Sequence, residues 1–361
     1  MKRIIALTLI LCLMLCACGQ KTPDPTEAPT TESTTQETTV PETTEPTVPE
    51  TTAPKEVLYR NPLNGAPLDA PWSGQAVAVM INNLKQAMPQ KGISQADIFY
   101  EMEVEGDITR CLAVFSDLSN VADIGPVRSA RTYFNSVAVS YDAPLIHCGG
   151  SDYALKAMYG DYNDKIDRWE HIDADSKHFF RDQDRYNSGY AWEHTLFTSG
   201  EKLQAAIEAY GYNTPTENTY GLQFTDGVEL AGESADKITV TFKSGKKTVL
   251  TYDASLGRYN INIHGSTHID GNTNQPVTFK NAIVIYTDQW YANNVGHKYY
   301  ETIGSGQGYA AINGKIVPIT WTRDRLRSSY TYALADGTPL TLDAGSTYIA
   351  FVGIKNPISY Q

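Results

Sequence analysis

The sequence predicts an α/β (α+β) N-terminal domain, residues 57–212, followed by a smaller, mainly β C-terminal domain, residues 213–361. In the first region, apolar segments typical of strands alternate with segments of helical periodicity. In the second, short strand-like segments are separated by turn dipeptides such as Ser244-Gly245 and Asn313-Gly314. The folded region is long enough for both domains to bury a hydrophobic core.

The chain begins with the features of a secretory signal, predicted at residues 1–17. A charged start precedes an apolar run at residues 4–15, which is shorter than the roughly 20 residues that span a bilayer. The run leads into Leu15-Cys16-Ala17-Cys18, which resembles the bacterial lipobox. We therefore predict cleavage before Cys18 and lipidation of its thiol, with an ordinary signal peptide as the alternative. Two or more acyl chains, palmitate among them, would anchor the protein stably.

Residues 18–56 form a low-complexity segment rich in Thr, Pro and Glu, with almost no large apolar side chain. Such a segment cannot bury enough surface to offset the entropy of ordering it, so a disordered stalk is predicted. At about 3.1 Å per residue in the polyproline II conformation, the stalk would extend on the order of 100 Å. We expect an extracytoplasmic protein that lipid holds to the membrane and the stalk spaces away from it.

Charge and cysteine content narrow the classes of function. The formal net charge of −12 disfavours a nucleic-acid partner. Beyond the leader only Cys111 and Cys148 remain, which excludes a disulfide framework and leaves one bridge or two free cysteines as alternatives. Neither a Cys-x-x-Cys nor a His-Glu-x-x-His spacing occurs, so no metal and no other cofactor is predicted.

Individual elements follow from local patterns. Residues 76–81 are apolar on both faces, as in a buried strand, and residues 98–115 have the pattern of a β-hairpin. The other elements predicted in the N-terminal region are a helix within 125–141, a strand at 143–147, a helix capped by Ser151, and a helix at 201–210 closed by Gly211. The strands predicted in the C-terminal region are 237–242, 247–252, 258–263, 281–286, 315–321 and 346–352.

Three carboxylates alternate along the predicted hairpin. With a period of two, Glu101, Glu103 and Glu105 lie on one face of the strand. A two-residue turn at Gly106-Asp107 would place Glu103 opposite Arg110. This face is either solvated, with a cross-strand ion pair, or a carboxylate pair for acid/base or glycosidic chemistry.

A Gly-Pro turn at residues 125–126 is predicted to open a helix that carries Arg128 and Arg131. Arginines three apart share a helix face, and near the helix N-terminus an anion would meet both guanidinium groups and free N–H donors. Alternatively, the two arginines pair with Asp123 or with the glutamates of the hairpin.

The strand at 143–147 runs directly into a glycine-rich turn, where His147 is followed by Gly149, Gly150 and Ser151. A strand, a Gly-Gly turn and a helix start bring backbone N–H groups toward a ligand at the carboxyl end of the strand. His147 could act there as an acid, a base or a donor. A structural histidine and a plain tight turn are the alternatives, and Ser151 has the features of a helix cap.

The remaining histidines and glycines carry weaker signals. His194 follows Trp192-Glu193, and His264 and His268 lie close in sequence, but metal ligation needs three or four converging ligands. The glycine-rich segment at residues 304–308 lacks the lysine of a P-loop, so it is predicted to be a flexible turn.

Several motifs together resemble the YerB-like bacterial lipoprotein family, a group defined by a domain of unknown function. They are Asn-Pro-Leu-Asn-Gly at 61–65, Val-Met-Ile-Asn-Asn at 79–83, Ala-Asp at 96–97 with Tyr-Glu at 100–101, Glu-Gly-Asp-Ile-Thr-Arg at 105–110, Ile-Gly-Pro-Val-Arg-Ser-Ala-Arg at 124–131, Gly-Ser-Gly-Gln-Gly at 304–308 and Ile-Thr-Trp at 319–321. The resemblance implies an N-terminal and a C-terminal domain and supplies no activity. Where the family pattern has Pro-His-Asn, this chain has Glu193-His194-Thr195, so only the histidine is kept.

Two hypotheses for function follow. The first is a cell-envelope binding module that holds an anionic or glycan wall component, or a wall enzyme, through a site composed of Arg128, Arg131, His147, Gly149, Gly150 and Ser151. The second is a hydrolase or transferase acting on wall glycan or a phosphodiester, whose candidate catalytic residues are Glu101, Glu103, His147 and His194. In both, the membrane is a partner through the lipid anchor.

Overall fold

The structure is a computed structural model that describes residues 59–160, 169–212, 219–294 and 296–361, all within one compact unit. The predicted signal peptide, Cys18 and the stalk lie outside the described residues. Within the described ranges, no helix combines the length and the apolar character needed to cross a membrane.

Helices are few and short in the described part of the chain. The α-helices are α1 (Thr132–Val139), α2 (Asp152–Tyr159), α3 (Gln183–Asn187) and α4 (Gly200–Tyr210), and short 3₁₀ helices span Lys85–Ala87, Ile93–Gln95 and Trp192–His194. The strands of the first half are β1 (Tyr59–Arg60), β2 (Pro67–Leu68), β3 (Val77–Asn82), β4 (Ile98–Glu103), β5 (Thr109–Phe115), β6 (Asp123–Ile124), β7 (Leu145–His147), β8 (His171–Asp173), β9 (Phe180–Arg181) and β10 (Leu196–Ser199).

Strands dominate the second half. They are β11 (Gln223–Thr225), β12 (Glu233–Ser234), β13 (Lys237–Thr241), β14 (Lys247–Asp253), β15 (Arg258–Ile263), β16 (Ser266–Thr267), β17 (Thr278–Phe279), β18 (Asn281–Thr287), β19 (Gln289–Tyr291), β20 (Lys298–Tyr300), β21 (Gly304–Ile312), β22 (Lys315–Arg323), β23 (Thr331–Leu334), β24 (Thr341–Asp343), β25 (Thr347–Gly353) and β26 (Ser359–Tyr360). The predicted fold class is confirmed: an α+β N-terminal region is followed by a β-rich C-terminal region.

One mixed sheet of 11 strands runs through both regions in the order β12-β22-β21-β18-β25-β4-β5-β3-β7-β8, with β23 beside β22. The two regions meet where β25 pairs in parallel with β4, from Thr347 opposite Ile98 to Ala350 opposite Glu101. The sheet is therefore continuous across the predicted boundary near residue 212, and the division into two domains stays a prediction.

The two faces of the large sheet bury different partners. A second sheet, β16-β15-β14-β13-β26 with β17, covers one face, where Phe99 of the large sheet stacks on Phe279 with 5.8 Å between ring centroids. The other face carries α1, whose Phe134 and Val137 are fully buried against strand residues such as Met80. Alternation along each strand thus decides which side of the molecule a residue reaches.

The helix ends form as their sequences predict. Ser151 caps α2 by accepting a hydrogen bond from the N–H of Ala154 at 3.3 Å. Gly211 ends α4 in the left-handed conformation that glycine adopts without strain. Both predicted caps are confirmed.

The predicted hairpin is present, but its predicted register is wrong. Glu103 lies opposite Thr109, and Arg110 lies opposite Met102. The turn contains three residues rather than two, with Gly106 and Asp107 both at positive φ, 71° and 55°. A one-residue shift moves every side chain of one strand to the other face. Glu103 and Arg110 are therefore on opposite faces of the sheet and do not pair.

The helix predicted to open at the Gly-Pro turn begins later, at Thr132. Arg131 is the N-cap residue of this helix and has an extended backbone conformation. Arg128 lies before the helix, and its backbone N–H donates to the carbonyl of Met80. The two arginines do not share a helix face, because the backbone between them is not helical. The predicted joint anion site at the start of one helix is wrong.

The glycine-rich segment predicted as a flexible turn is part of β21. Its glycines serve packing: the indole N–H of Trp321 donates to the carbonyl of Tyr286 across the strand, and a Cβ on Gly306 would lie 2.6 Å from that indole nitrogen. A side chain at this position would displace the tryptophan. Both cysteines of the described region, Cys111 and Cys148, are free.

Acid should destabilise the protein through the buried histidine His268. Burial lowers its pKa from 6.5 to about 4, so the folded state holds it neutral. The unfolded chain binds this proton below about pH 6.5, so stability should fall by up to about 3 kcal/mol between pH 6.5 and pH 4. Urea denaturation at several pH values in this range measures the free energy of unfolding. This free energy should fall less steeply with decreasing pH in His268→Gln than in the wild type. An equally steep fall in both proteins would contradict the role of His268.

Candidate functional site

The candidate catalytic glutamates lie between the two sheets and not in a cleft. Glu101 is fully buried and accepts hydrogen bonds through both oxygens, on one side from Thr109 at 2.6 Å and on the other from Tyr348 at 2.8 Å. The ammonium of Lys246, on the hairpin of β13 and β14, lies 3.0 Å away. The predicted solvated face is wrong, because the second sheet covers this side of β4.

Burial alone would raise the pKa of Glu101, but the charge of Lys246 and hydrogen bonds from Thr109, Lys246 and Thr248 outweigh it and lower the pKa. The carboxylate stays ionised and its oxygens are occupied. It is therefore suited to holding the sheets together rather than to giving or taking a proton.

Glu103 anchors a different element, the hairpin of β19 and β20. Its carboxylate accepts from the side chain of Gln289 at 2.9 Å and forms an ion pair with Lys298 at 3.1 Å. Its backbone N–H donates to the hydroxyl of Tyr300, and its other oxygen accepts from the N–H of Ser244 at 2.7 Å. Both strands of the hairpin are thus pinned to β4 by one residue.

His147 lies on the other side of the large sheet. It alternates with Ile146, which lies on the same face of the large sheet as Glu101, and so points to the side of α1. Two strands separate β4 from β7, a distance of about 14 Å at the usual strand spacing. The structure does not bring Glu101 or Glu103 together with His147, so this catalytic pairing finds no support in the geometry.

In the turn after β7, the polar groups of His147 and Gly149 bind to neighbouring groups of the protein. The N–H of Gly149 donates to Asp173 at 2.8 Å, and its carbonyl contacts Nδ1 of His147 at 2.9 Å. The other ring nitrogen of His147 contacts His171 at 3.1 Å. Burial lowers the pKa of His147 against the raising effect of Asp173. Gly149 has a φ of 63°, in the left-handed region that glycine adopts without strain. The segment therefore has the features of a plain tight turn, one of the two alternatives to a ligand site.

The two candidate arginines, Arg128 and Arg131, lie in two separate sites of the structure. Arg131 forms an ion pair with Glu105, and its side chain is 8% exposed. Arg128 pairs with Glu193 at 3.3 Å, next to the buried His194, whose Nδ1 contacts the amide of Asn82 at 2.9 Å. Burial lowers the pKa of His194. Arg131 and Ser151 line a common cleft, and Arg128 and His194 do not.

We name the cavity beside Arg131 the hairpin cleft; its volume is about 540 Å³. One wall comes from the starts of α1 and α2, and the other comes from β19, β20 and the segment between them. The α1 and α2 side contributes Arg131, Thr132, Ser136, Ser151 and Tyr153, and the hairpin side contributes Trp290, His297, Lys298 and Tyr299.

The hairpin side of the cleft presents aromatic rings to solvent. Trp290 is 44% exposed and packs against Tyr299, with 4.5 Å between ring centroids and 33° between planes. Across the cleft, Tyr153 is 40% exposed. Large aromatic side chains are rarely left exposed together unless a ligand covers them.

The charges of the hairpin cleft are balanced. The guanidinium of Arg131 is paired with Glu105, and the ammonium of Lys298 is paired with Glu103. The indole nitrogen of Trp169 has no hydrogen-bond acceptor within the described ranges and is buried below the cleft surface. Rings, hydroxyls and paired charges suit a polar, neutral ring system better than a bare anion.

A larger cavity, about 710 Å³, lies over β18, β21 and β22 and is lined by Asp288, Glu301 and Gln307 among others. It contains none of the candidate site residues singled out in the sequence. Among the described residues, no group of three His, Cys, Asp or Glu side chains is placed to hold a metal ion.

Comparison with known proteins places this geometry in a family. Residues 64–213 match the N-terminal domain, and residues 238–349 the C-terminal domain, of the family described as "Protein of unknown function (DUF3048)". The chain belongs to the DUF3048 family. These two matches confirm the resemblance seen in the motifs. The hairpin and both candidate arginines lie within the matched N-terminal segment.

This DUF3048 chain is 29% identical over 279 residues to "Putative lipoprotein YerB" of Bacillus subtilis, a match that covers 76% of this chain and 80% of that protein. It is also similar to the crystal structure of the YerB protein from Bacillus subtilis, with a TM-score of 0.70 and 27% identity. That likeness covers 83% of this chain and 99% of the crystallised one. Neither name states an activity.

The sequence pointed to one wall of the DUF3048 hairpin cleft and not to the other. Arg131 and Ser151 were candidates, whereas Trp290, Lys298 and Tyr299 were not. The available signal was the density of aromatic residues between Trp290 and Tyr300, which is high for a surface hairpin. Because these residues are far from Arg131 in sequence, no local pattern indicated that they line the same cleft.

Proposed function

We propose that this chain is a lipoprotein, anchored outside the cell membrane through Cys18, that binds a glycan component of the cell wall in the hairpin cleft. Its similarity to a protein named a lipoprotein supports the anchor, together with the Leu-x-Ala-Cys leader. The binding role rests on the geometry of the hairpin cleft.

The exposed ring of Trp290, packed against the half-buried ring of Tyr299, carries the proposal. Sugar rings present apolar C–H faces that pack on aromatic rings, and their hydroxyls bond to polar side chains around such a platform. The opposite wall supplies these groups through Thr132 and Ser151, and His297 adds another from the hairpin side. Because both cations of the cleft are neutralised by glutamates, the cleft favours sugar rings over a bare anionic group.

Replacing Trp290 by Ala should weaken binding to isolated cell walls by about thirtyfold or more, the usual effect of losing an aromatic hot spot of about 2 kcal/mol. The full chain in detergent is incubated with walls, and the bound fraction is measured by sedimentation. Trp290 is 44% exposed, so the variant should keep its fold.

Tyr291→Ala is the matched control, because Tyr291 is 53% exposed on the same hairpin but is not part of the cleft lining. It should leave retention unchanged. Walls stripped of phosphodiester-linked polymers should retain the protein as intact walls do. Equal retention of the Trp290→Ala variant and the wild type would refute a role for the cleft, and loss of retention on stripped walls would refute the glycan.

A further inference from the structure

A second polar cluster lies apart from the hairpin cleft. We call it the arginine cluster and define it by Asn82, Arg110, Arg128, Glu193 and His194. Asn82 and Arg110 face each other across β3 and β5, and the amide of Asn82 contacts His194 at 2.9 Å. Arg110 donates to the carbonyl of Ser129 at 2.6 Å, which brings it beside the segment that carries Arg128.

Arg110 is unusual because it is buried without a counterion. It is 4% exposed, and among the described residues no carboxylate lies within 4.0 Å of its guanidinium. Burial lowers its pKa to about 10, and the charge of Arg128 adds to that effect. A buried guanidinium beside a second guanidinium is unfavourable unless negative charge compensates both.

The negative charge near both arginines comes from Glu193. It pairs with Arg128 at 3.3 Å, and its charge raises the pKa of Arg110 against burial. Its side chain is 49% exposed, so it can leave this position at little cost. Arg128 also keeps its buried Nε without an acceptor within the described ranges. One half-exposed carboxylate therefore compensates two cations.

We propose that Arg110 and Arg128 form a binding site for the phosphate group of a small soluble molecule, and that Glu193 is the internal counterion that phosphate displaces. Guanidinium groups bind phosphate through paired N–H donors in a planar fork. A phosphate carries more acceptor oxygens than a carboxylate and can reach both arginines at once. Because Arg110 lies below the surface, the site suits a small projecting group rather than a flat lipid surface.

Titration calorimetry of the full chain with inorganic phosphate tests this site. Removing the competing carboxylate in Glu193→Gln should tighten phosphate binding about tenfold, which corresponds to about 1.4 kcal/mol. Glu208→Gln, an exposed charge change on α4, is the control and should bind as the wild type does. Adding Arg128→Gln to Glu193→Gln should abolish the gain, and Arg128 is preferred to Arg110 because its side chain is 20% exposed and its loss is better tolerated.

Equal phosphate affinity in the Glu193→Gln and Glu208→Gln proteins would overturn the role of Glu193. A gain that survives Arg128→Gln would overturn the site itself. Sedimentation with phosphatidylglycerol vesicles should not depend on Glu193, and dependence there would overturn the assignment to a soluble phosphate. Trp290→Ala should leave phosphate affinity unchanged, so failure of the glycan proposal and failure of this one are separable.

Discussion

Replacing Glu101 by Gln should lower the free energy of unfolding by about 3–5 kcal/mol, the range for breaking a buried ion pair by removing one partner. Glutamine is nearly the same size, so the loss reflects charge and hydrogen bonding. The ammonium of Lys246 would be left 13% exposed without its carboxylate, and the hydroxyls of Thr248 and Tyr348 would face an amide N–H₂ where they now face an oxygen.

Urea denaturation at neutral pH measures this change. Glu208→Gln on the exposed face of α4 is the control and should stay within about 0.5 kcal/mol of the wild type. A loss below about 1 kcal/mol for Glu101→Gln would mean that the contact between the two sheets is solvated. The pair of Glu101 and Lys246 would then not hold the two sheets together.

Replacing Glu103 by Gln should have two effects, one on stability and one on the cleft. Lys298 is 2% exposed and loses its only ion-pair partner among the described residues, so unfolding should again become easier by about 3–5 kcal/mol. The hairpin that carries Trp290 and Tyr299 also loses its anchor to β4. Binding to cell walls should therefore weaken, because the aromatic wall is no longer held in place.

Comparison of the two glutamates separates these effects. Glu101→Gln should lose stability and keep wall binding at temperatures where it is folded, since Lys246 does not line the cleft. Glu103→Gln should lose both. If Glu103→Gln retains walls as well as Glu101→Gln does, Glu103 does not position the hairpin, and its contacts with Gln289 and Lys298 are structural alone.

The sequence predicted correctly those secondary-structure elements that depend on interactions between residues near each other in the chain. The alternation at residues 98–115 predicted the hairpin, and the Ser151 and Gly211 caps formed because each acts within one helical turn. The predicted register of the hairpin failed at Gly106 and Asp107. Both residues adopt positive φ, as in a two-residue type I′ turn, but here they belong to a three-residue turn, so their identity alone does not fix the loop length.

The environment of the glutamates could not be predicted because its causes are distant in sequence. The partners of Glu101 include Lys246 and Tyr348, which are 145 and 247 positions away. No local pattern shows that a second sheet covers β4. The same holds for the hairpin cleft, whose walls come from the start of α1 and from β19 and β20, which are distant in sequence.

A crystal structure of the chain soaked with a disaccharide fragment of wall glycan tests the glycan site most directly. We expect density for a sugar ring packed on the exposed ring of Trp290, with its hydroxyls within hydrogen-bond distance of Thr132 or His297 on the cleft walls. The hairpin of β19 and β20 should keep its contacts with Glu103. A sugar bound in the larger cavity beside Asp288 and Glu301, with the hairpin cleft empty at saturating ligand, would contradict the proposed site.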